Sequence, residues 1–523
     1  MAPERACSGA EVVMAGFAGN EPTPQLLSLI GRGLAGVILF ARNTVGPAQV
    51  AELIASLQAQ ARHTGWPPLL IGIDHEGGRV QRLRTGMGVL PAPMAVGAAG
   101  DEALAYQLAA AAGTELRNLG LNLNFAPCAD VNTNPRNPVI GTRSYGSCSE
   151  QVSQLVAATV RGYQDQGVLA TAKHFPGHGD THQDSHHTLP QLARNQAALR
   201  ALDLPPFAAA VAAGVAAVMS AHIVVSWLTG DQPATLSRAA LTGLLRHEMG
   251  FEGLILTDCL EMGAIMDSYG PAQATLQALA AGADLTLWSH TPAYQEEAVA
   301  AAGSALVGQG PVAGPVVQRA VRRVRRVREG LARGLSAPAA VPGAPAPPSA
   351  DEIAQAVHRR ATTLVAAEPG LLPLVPGAPV LVAATGGRTV PPGEAQATRG
   401  VAPAGFAGSG ACDELRRQLQ ARGVNAVAMG FGAPAPAGVP MVLLTASACA
   451  EAAQLEAART IAGAARGPIV HVATGLPYDL GLLPQARARL ATFDDGTGAI
   501  RALAEVLAGE RPPVGRLPVS LSD

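Results

Sequence analysis

The chain is predicted to be an α/β protein, a closed β/α barrel of the TIM type followed by a smaller α/β sandwich domain. Three observations carry this. Eight short aliphatic runs recur over about 330 residues, each followed by an Ala/Leu-rich stretch with helical spacing, which is the alternation of parallel βα units. A Pro- and Ala-rich stretch, SAPAAVPGAPAPPSA at 336–350, then breaks the pattern. Beyond it, apolar runs alternate with helical stretches once more.

The eight runs are Glu11–Gly16, Ala35–Phe40, Leu69–Asp74, Leu121–Ala126, Val168–Lys173, Val215–Ala221, Gly253–Thr257 and Ala283–Trp288, and the barrel domain is placed at 1–335. Catalytic groups of such barrels sit at the C-terminal strand ends. The ionisable residues obey that rule: Asp74 closes the third run, Asp130 follows the fourth, Lys173 and His174 close the fifth, His222 the sixth and Asp258 the seventh. The last barrel helix carries an apolar stripe, Val317, Val321, Val324, Val327 and Leu331, beside Arg319, Arg322, Arg323, Arg325, Arg326 and Arg328, which read as a solvated face rather than a nucleic-acid patch. Residues 336–350 read as an extended, semi-rigid linker. In 351–523, apolar runs at Val380–Ala384, Met441–Thr445 and Ile469–Ala473 alternate with helices expected at Asp413–Arg422 and Glu451–Ala465. The glycines of ATGGRT near Gly386 lack the GxGxxG spacing that cradles a pyrophosphate and read as a turn.

Composition narrows the partners. With 37 basic and 39 acidic residues the net charge is −2, so no global field draws the chain to nucleic acid or to an anionic membrane. Six scattered cysteines form no CxxC pair, which suits reduced thiols. The N-terminus lacks a basic segment followed by a long apolar one, and no apolar run is long enough to span a bilayer, so a cytoplasmic protein is expected.

Three stretches carry chemistry. KHFPGHGDTHQDSHHTLP, residues 173–190, crowds five histidines after a strand, while Pro176, Gly177 and Gly179 forbid a regular helix. It is a turn satisfied by its own hydrogen bonds, a metal site, or an acid/base loop. In the last reading Asp184 contacts His186 and fixes its tautomer, as a proton shuttle requires. LILTDCLEMGAI, from 254, delivers Asp258 to the barrel mouth; alternatively Asp258 caps the next helix, with Glu261 completing a capping box. IGIDHEGGRVQRLR, from 71, places Asp74 where it can take sugar hydroxyls, with Arg82 and the Arg143 of PVIGTRSYG as donors. Aromatic residues are few, and Trp227 and Trp288 are the candidate stacking platforms near strand ends.

Taken together with GVILFARN, GTRSYG, PATLS and TDCLEMGAI in that order, these stretches resemble glycoside hydrolase family 3, in particular its β-N-acetylhexosaminidase branch. The resemblance covers essentially the whole first domain, and KHFPGHG followed by DSH is its specific part. It implies a retaining, exo-acting enzyme that removes terminal N-acetylglucosamine from a saccharide, a cell-wall muropeptide or a chitin oligosaccharide, with no cofactor and no metal. By the same likeness Asp258 is the nucleophile, His186 the general acid/base and Asp184 its partner, while Asp74, Arg82, Arg143, Lys173 and His174 hold the sugar. His75 and Cys259 depart from the commoner pattern at positions given no chemical role. Because the acid/base is an imidazole rather than the usual second carboxylate, phosphorolysis is an alternative outcome, and a non-catalytic sugar-binding protein a remote one. The C-terminal domain resembles that of longer family members and is expected to support rather than catalyse.

Overall fold

The computed structural model describes residues 6–182, 189–333, 348–385, 410–429 and 435–521. Each of the eight expected runs overlaps a strand, β7 and β9 reaching two residues beyond theirs: β1 Val13–Ala15, β2 Gly36–Leu39, β3 Leu70–Ile73, then, after a small ribbon of β4 His75–Gly77 and β5 Val80–Gln81, β6 Leu123–Asn124, β7 Leu169–Phe175, β8 Ala217–Ser220, β9 Leu254–Cys259 and β10 Leu285–Trp288. They close into one parallel barrel in the order β1-β10-β9-β8-β7-β6-β3-β2. The ribbon was not foreseen. It forms because Gly77 and Gly78 adopt φ of +102° and +53°, and because a Cβ at Gly77 would lie 2.2 Å from the Pro91 carbonyl oxygen.

Val317, Val321 and Val324 of the helix Gly314–Ala332 are buried as the stripe required. Its arginines are not simply a solvated face. Arg328 is fully buried and donates to the carbonyl oxygens of Pro67 (2.7 Å) and Pro68 (2.9 Å), just ahead of β3, while Arg325 pairs with Glu11 and Arg323 with Asp284. The helix therefore closes the barrel's N-terminal end.

The second body is a six-stranded sheet, β11 Thr363–Ala367, β12 Pro379–Ala384, β13 Asn425–Ala428, β14 Met441–Thr445, β15 Ile469–Ala473 and β16 Ala488–Ala491, in the order β11-β16-β15-β14-β12-β13, with β11 antiparallel to β16 and the other pairings parallel. The three expected runs are its central strands. β11, β13 and β16 escaped notice because edge or half-polar strands carry no long aliphatic run. Helices Gly410–Gln420 and Ala452–Ala464 correspond to the two expected, and Ala350–Ala361 starts at a capping box of Ser349 and Glu352. Most of 336–350 and the residues from Gly386 to 409 lie outside the described residues.

This sheet domain sits on barrel loops that follow β3 and β6. The Ala92 N–H donates to Asp494 Oδ2 (2.9 Å), the Ser147 N–H to the Pro518 carbonyl (2.9 Å), and Asn132 Nδ2 to the Tyr478 hydroxyl (2.9 Å). No described helix is long and apolar enough to cross a membrane.

Candidate active site

Near its C-terminal end strand β7 carries two successive polar residues, Lys173 and His174, joined by a cis peptide and followed by Phe175, and both are buried at the barrel mouth. Lys173 Nζ lies 2.7 Å from Asp74 Oδ1 and 2.6 Å from Glu76 Oε1. Glu76 in turn accepts a parallel pair of hydrogen bonds from Arg143 Nε and Nη2, each 2.8 Å. Such bidentate pairs are the strong, orienting kind. Arg143 Nη2 also faces His174 Nε2 at 3.3 Å, and His174 Nδ1 lies 2.7 Å from Asp130 Oδ2. Since the carboxylate only accepts and the guanidinium only donates, Nδ1 carries the ring hydrogen and Nε2 presents a lone pair.

The result is one connected network, Asp74–Lys173–Glu76–Arg143–His174–Asp130, drawn from β7, the ribbon strand β4 and the loops that follow β3 and β6. Burial alone would neutralise Glu76, Asp130, Lys173 and Arg143, and their neighbours prevent it. Against burial, Arg143 and Lys173 hold the Glu76 carboxyl well below its usual range, and His174 and His178 do the same for Asp130. Asp74 and Glu76 likewise keep Lys173 charged, and Glu76 keeps Arg143 charged, despite the desolvation both suffer. A ring of fixed charges and donors of this kind orients hydroxyl and amide groups without reorganising.

Asp258 belongs to β9 itself and is half-buried, its Oδ1 accepting from the Cys259 N–H at 2.7 Å. It does not cap a helix: the next one, Gly263–Met266, has Met262 at its N-cap. Glu261 instead accepts from the N–H groups of His290 and Thr291, tying the loops after β9 and β10. The end of β9 is braced by His222, which bridges Thr235 Oγ1 (2.8 Å) and the Cys259 carbonyl oxygen (2.9 Å). Thr235 is the threonine of PATLS, so that motif steadies the strand that carries Asp258.

The other expected residues fall as follows. Asp74, Arg143, Lys173 and His174 meet in the network. Arg82 touches it only through its backbone N–H, 3.3 Å from the Asp74 carbonyl, and its Nε has no hydrogen-bond partner among the described residues. Asp184 and His186 lie outside the described residues. Trp288 is fully buried and cannot stack on a ligand, because its ring faces the packed layer against Tyr294; Trp227 is 39% exposed.

Several residues were missed. Glu76 is only 1% exposed at its side chain and joins two of the cations, yet in sequence it is one acid beside another. Asn134 and Asn137 donate to the carbonyl oxygens of Thr181 (3.0 Å) and His178 (2.8 Å) and so hold the segment leaving β7. The repeated asparagines of NTNPRN were the available signal. Among the described residues, Cys128, Asp130 and His174 come close enough to hold a metal ion. Their donor atoms already bond one another, Cys128 Sγ to Asp130 at 3.1 Å, and burial holds that thiol well above its usual range.

Comparison with known proteins follows the same lines. Residues 9–327 match the model of the glycosyl hydrolase family 3 N-terminal domain. The β-hexosaminidase of Pseudomonas aeruginosa is 40% identical over 272 residues, covering 51% of this chain and 79% of that protein. The β-hexosaminidase A of Pseudoalteromonas piscicida is 41% identical over 283 residues, and there the match spans about half of each, 50% of this chain and 47% of the relative. A glycoside hydrolase family 3 β-N-acetylglucosaminidase from Paenibacillus sp. strain FPU-7 has a solved structure that superposes with a TM-score of 0.85 at 37% identity, covering 98% of both chains.

Proposed function

The chain belongs to glycosyl hydrolase family 3, and from that premise we propose that it is a retaining, exo-acting β-N-acetylhexosaminidase releasing terminal N-acetylglucosamine. The observation that carries the reading is the juxtaposition, at one barrel mouth, of the charged network around Lys173 and Arg143 with the strand-borne carboxylate of Asp258. The Paenibacillus β-N-acetylglucosaminidase, alike over both domains, supports the substrate class.

In this mechanism Asp258 attacks the anomeric carbon while His186, oriented by Asp184, protonates the departing oxygen; His186 then takes a proton from water, which releases the sugar with retention. Asp74, Arg82, Arg143, Lys173 and His174 hold the sugar in the innermost subsite. The substrate would be a muropeptide fragment or a chitin oligosaccharide met in the cytoplasm, a placement supported by six unpaired cysteines. Hydrolysis of a chromogenic aryl β-N-acetylglucosaminide, compared with the aryl β-glucoside, tests the proposal. Selective cleavage lost in Asp258→Ala and much weakened in His186→Ala is expected. Cleavage of the glucoside alone, or undiminished turnover by Asp258→Ala, would overturn it. A sugar phosphate product in phosphate buffer would reassign the enzyme as a phosphorylase.

A further inference from the structure

Glu76 and Arg143 form the bidentate pair of the charged network, yet they stand on separate barrel loops, and the second domain holds both loops from outside. The loop after β3 meets it at Ala92, whose N–H donates to Asp494 Oδ2 at 2.9 Å, while Asp494 Oδ1 accepts from the Gly496 N–H at 2.8 Å. Just ahead of this carboxylate Phe493 is buried at a φ of +61°, a left-handed conformation that bulky residues seldom adopt. On the barrel side Ala92 packs on the ribbon that carries Glu76. A Cβ at Gly78 would lie 2.6 Å from Ala92 Cβ, and the Gly78 N–H donates to the Leu90 carbonyl at 3.0 Å.

The loop after β6 is met at three points. The Tyr478 hydroxyl accepts from Asn132 Nδ2 and the Pro518 carbonyl from the Ser147 N–H, each at 2.9 Å. Leu476 lies against Gly141, where a Cβ would come within 3.0 Å of Leu476 Cδ2, two residues from Arg143. The Asn132 N–H donates to the Gly146 carbonyl at 2.9 Å and draws the two ends of this loop together. Helix Pro93–Ala99 links the two loops: it starts beside Ala92, and a Cβ at its Gly97 would lie 1.7 Å from the Tyr145 carbonyl oxygen. Its Met94, Ala95 and Ala98 are buried with Leu480, Phe493 and Val519 of the second domain.

We infer that the second domain is a working part of the sugar site, with Asp494 and Tyr478 as positioning residues: docked on the barrel, it fixes how Glu76 and Arg143 meet, and so the directions in which Arg143 and Lys173 present their N–H groups to the sugar. The inference rests on the reading of this network as the innermost sugar subsite. A bidentate pair is set by geometry as well as by charge, so a shift of either loop that the fold survives still turns the guanidinium from its two acceptors.

The test compares the full chain carrying Asp494→Ala, Tyr478→Phe, Arg143→Lys, or Tyr478→Phe together with Arg143→Lys, with wild type. KM and kcat are measured on an aryl β-N-acetylglucosaminide, and Kd for free N-acetylglucosamine by calorimetry. A purely structural role would reduce the folded fraction and with it the apparent kcat, leaving KM untouched. Instead KM and Kd should rise about tenfold in Asp494→Ala and about fivefold in Tyr478→Phe, with kcat changed less than KM. Adding Tyr478→Phe to Arg143→Lys should raise KM no further, because the fork whose aim Tyr478 sets is already gone. Tyr478→Phe removes a single oxygen, which keeps the test usable if Asp494→Ala fails to fold. An unaltered KM in the interface variants, or the same rise from Tyr478→Phe in the Arg143→Lys background, would overturn the inference. If Arg143→Lys itself leaves KM and Kd at their wild-type values, the reading of the network as the sugar subsite fails and the inference with it; if Arg143→Lys raises them and the interface variants do not, the inference alone fails.

Discussion

Arg143 and Glu76 meet side on, two N–H groups against two carboxylate oxygens at 2.8 Å each, with the Lys173 ammonium 2.6 Å from the same carboxylate. One buried anion therefore holds two cations of the candidate sugar site.

Replacing that anion should be costly. In Glu76→Gln, Lys173 and Arg143 remain buried with less charge to oppose them, and removing one partner of a buried pair typically costs about 3 kcal/mol. Urea denaturation should show a loss of that order, with KM for the aryl N-acetylglucosaminide raised at least about tenfold. A variant with wild-type stability and KM would show that the network does not depend on Glu76.

Gly179 is required by proximity rather than by backbone freedom. A Cβ there would lie 1.9 Å from the Val131 carbonyl oxygen, next to Asp130. Gly179→Ala should push the segment leaving β7 away from the Asp130 loop, destabilising the fold by about 2 kcal/mol and lowering kcat more than it raises KM. Calorimetry and steady-state kinetics check both, and an active, fully stable alanine variant would refute the packing argument.

Asp203 makes the stability of the wild type depend on pH. Burial pushes its carboxyl up to about 7, with Arg194 opposing and Asp180 and Asp130 reinforcing. The folded pKa exceeds the unfolded one, so the native state holds the proton more tightly, and the stability it contributes is full below about pH 4 and lost as the pH rises through 7. Asp203→Asn cannot lose it. The stability of the variant relative to wild type should therefore rise between pH 4 and pH 8 in denaturant titrations; parallel profiles would contradict the assignment.

At the opposite end of the barrel, Arg328→Met should separate stability from activity. The substitution strands the Pro67 and Pro68 carbonyls that Arg328 now satisfies, at a cost of about 2 kcal/mol. Because it lies at the N-terminal end, kcat per folded molecule should stay within about twofold of wild type. A large loss of kcat without loss of stability would show coupling across the barrel.

The eight aliphatic runs were legible because a parallel barrel strand is buried on both faces and so cannot be diluted with polar residues. Asp74, Lys173, His174 and Asp258 were legible for a related reason: an ionisable residue that ends such a run has only the mouth to face. The edge strands β11 and β13 and the ribbon at Gly77 had no comparable signal, since their residues suit loops equally well.

The sequence by itself determined the order of the strands, the mouth at which the chemistry must sit, and the residue types brought there. Only the tertiary structure decided which of them touch. That Glu76, not Asp74 alone, binds Lys173, that Thr235 braces β9 through His222 and that Arg328 closes the floor all depend on groups distant along the chain being brought together by the closed barrel. Local spacing along a chain sets periodicity and turns, but such long-range pairs exist only once the barrel has closed.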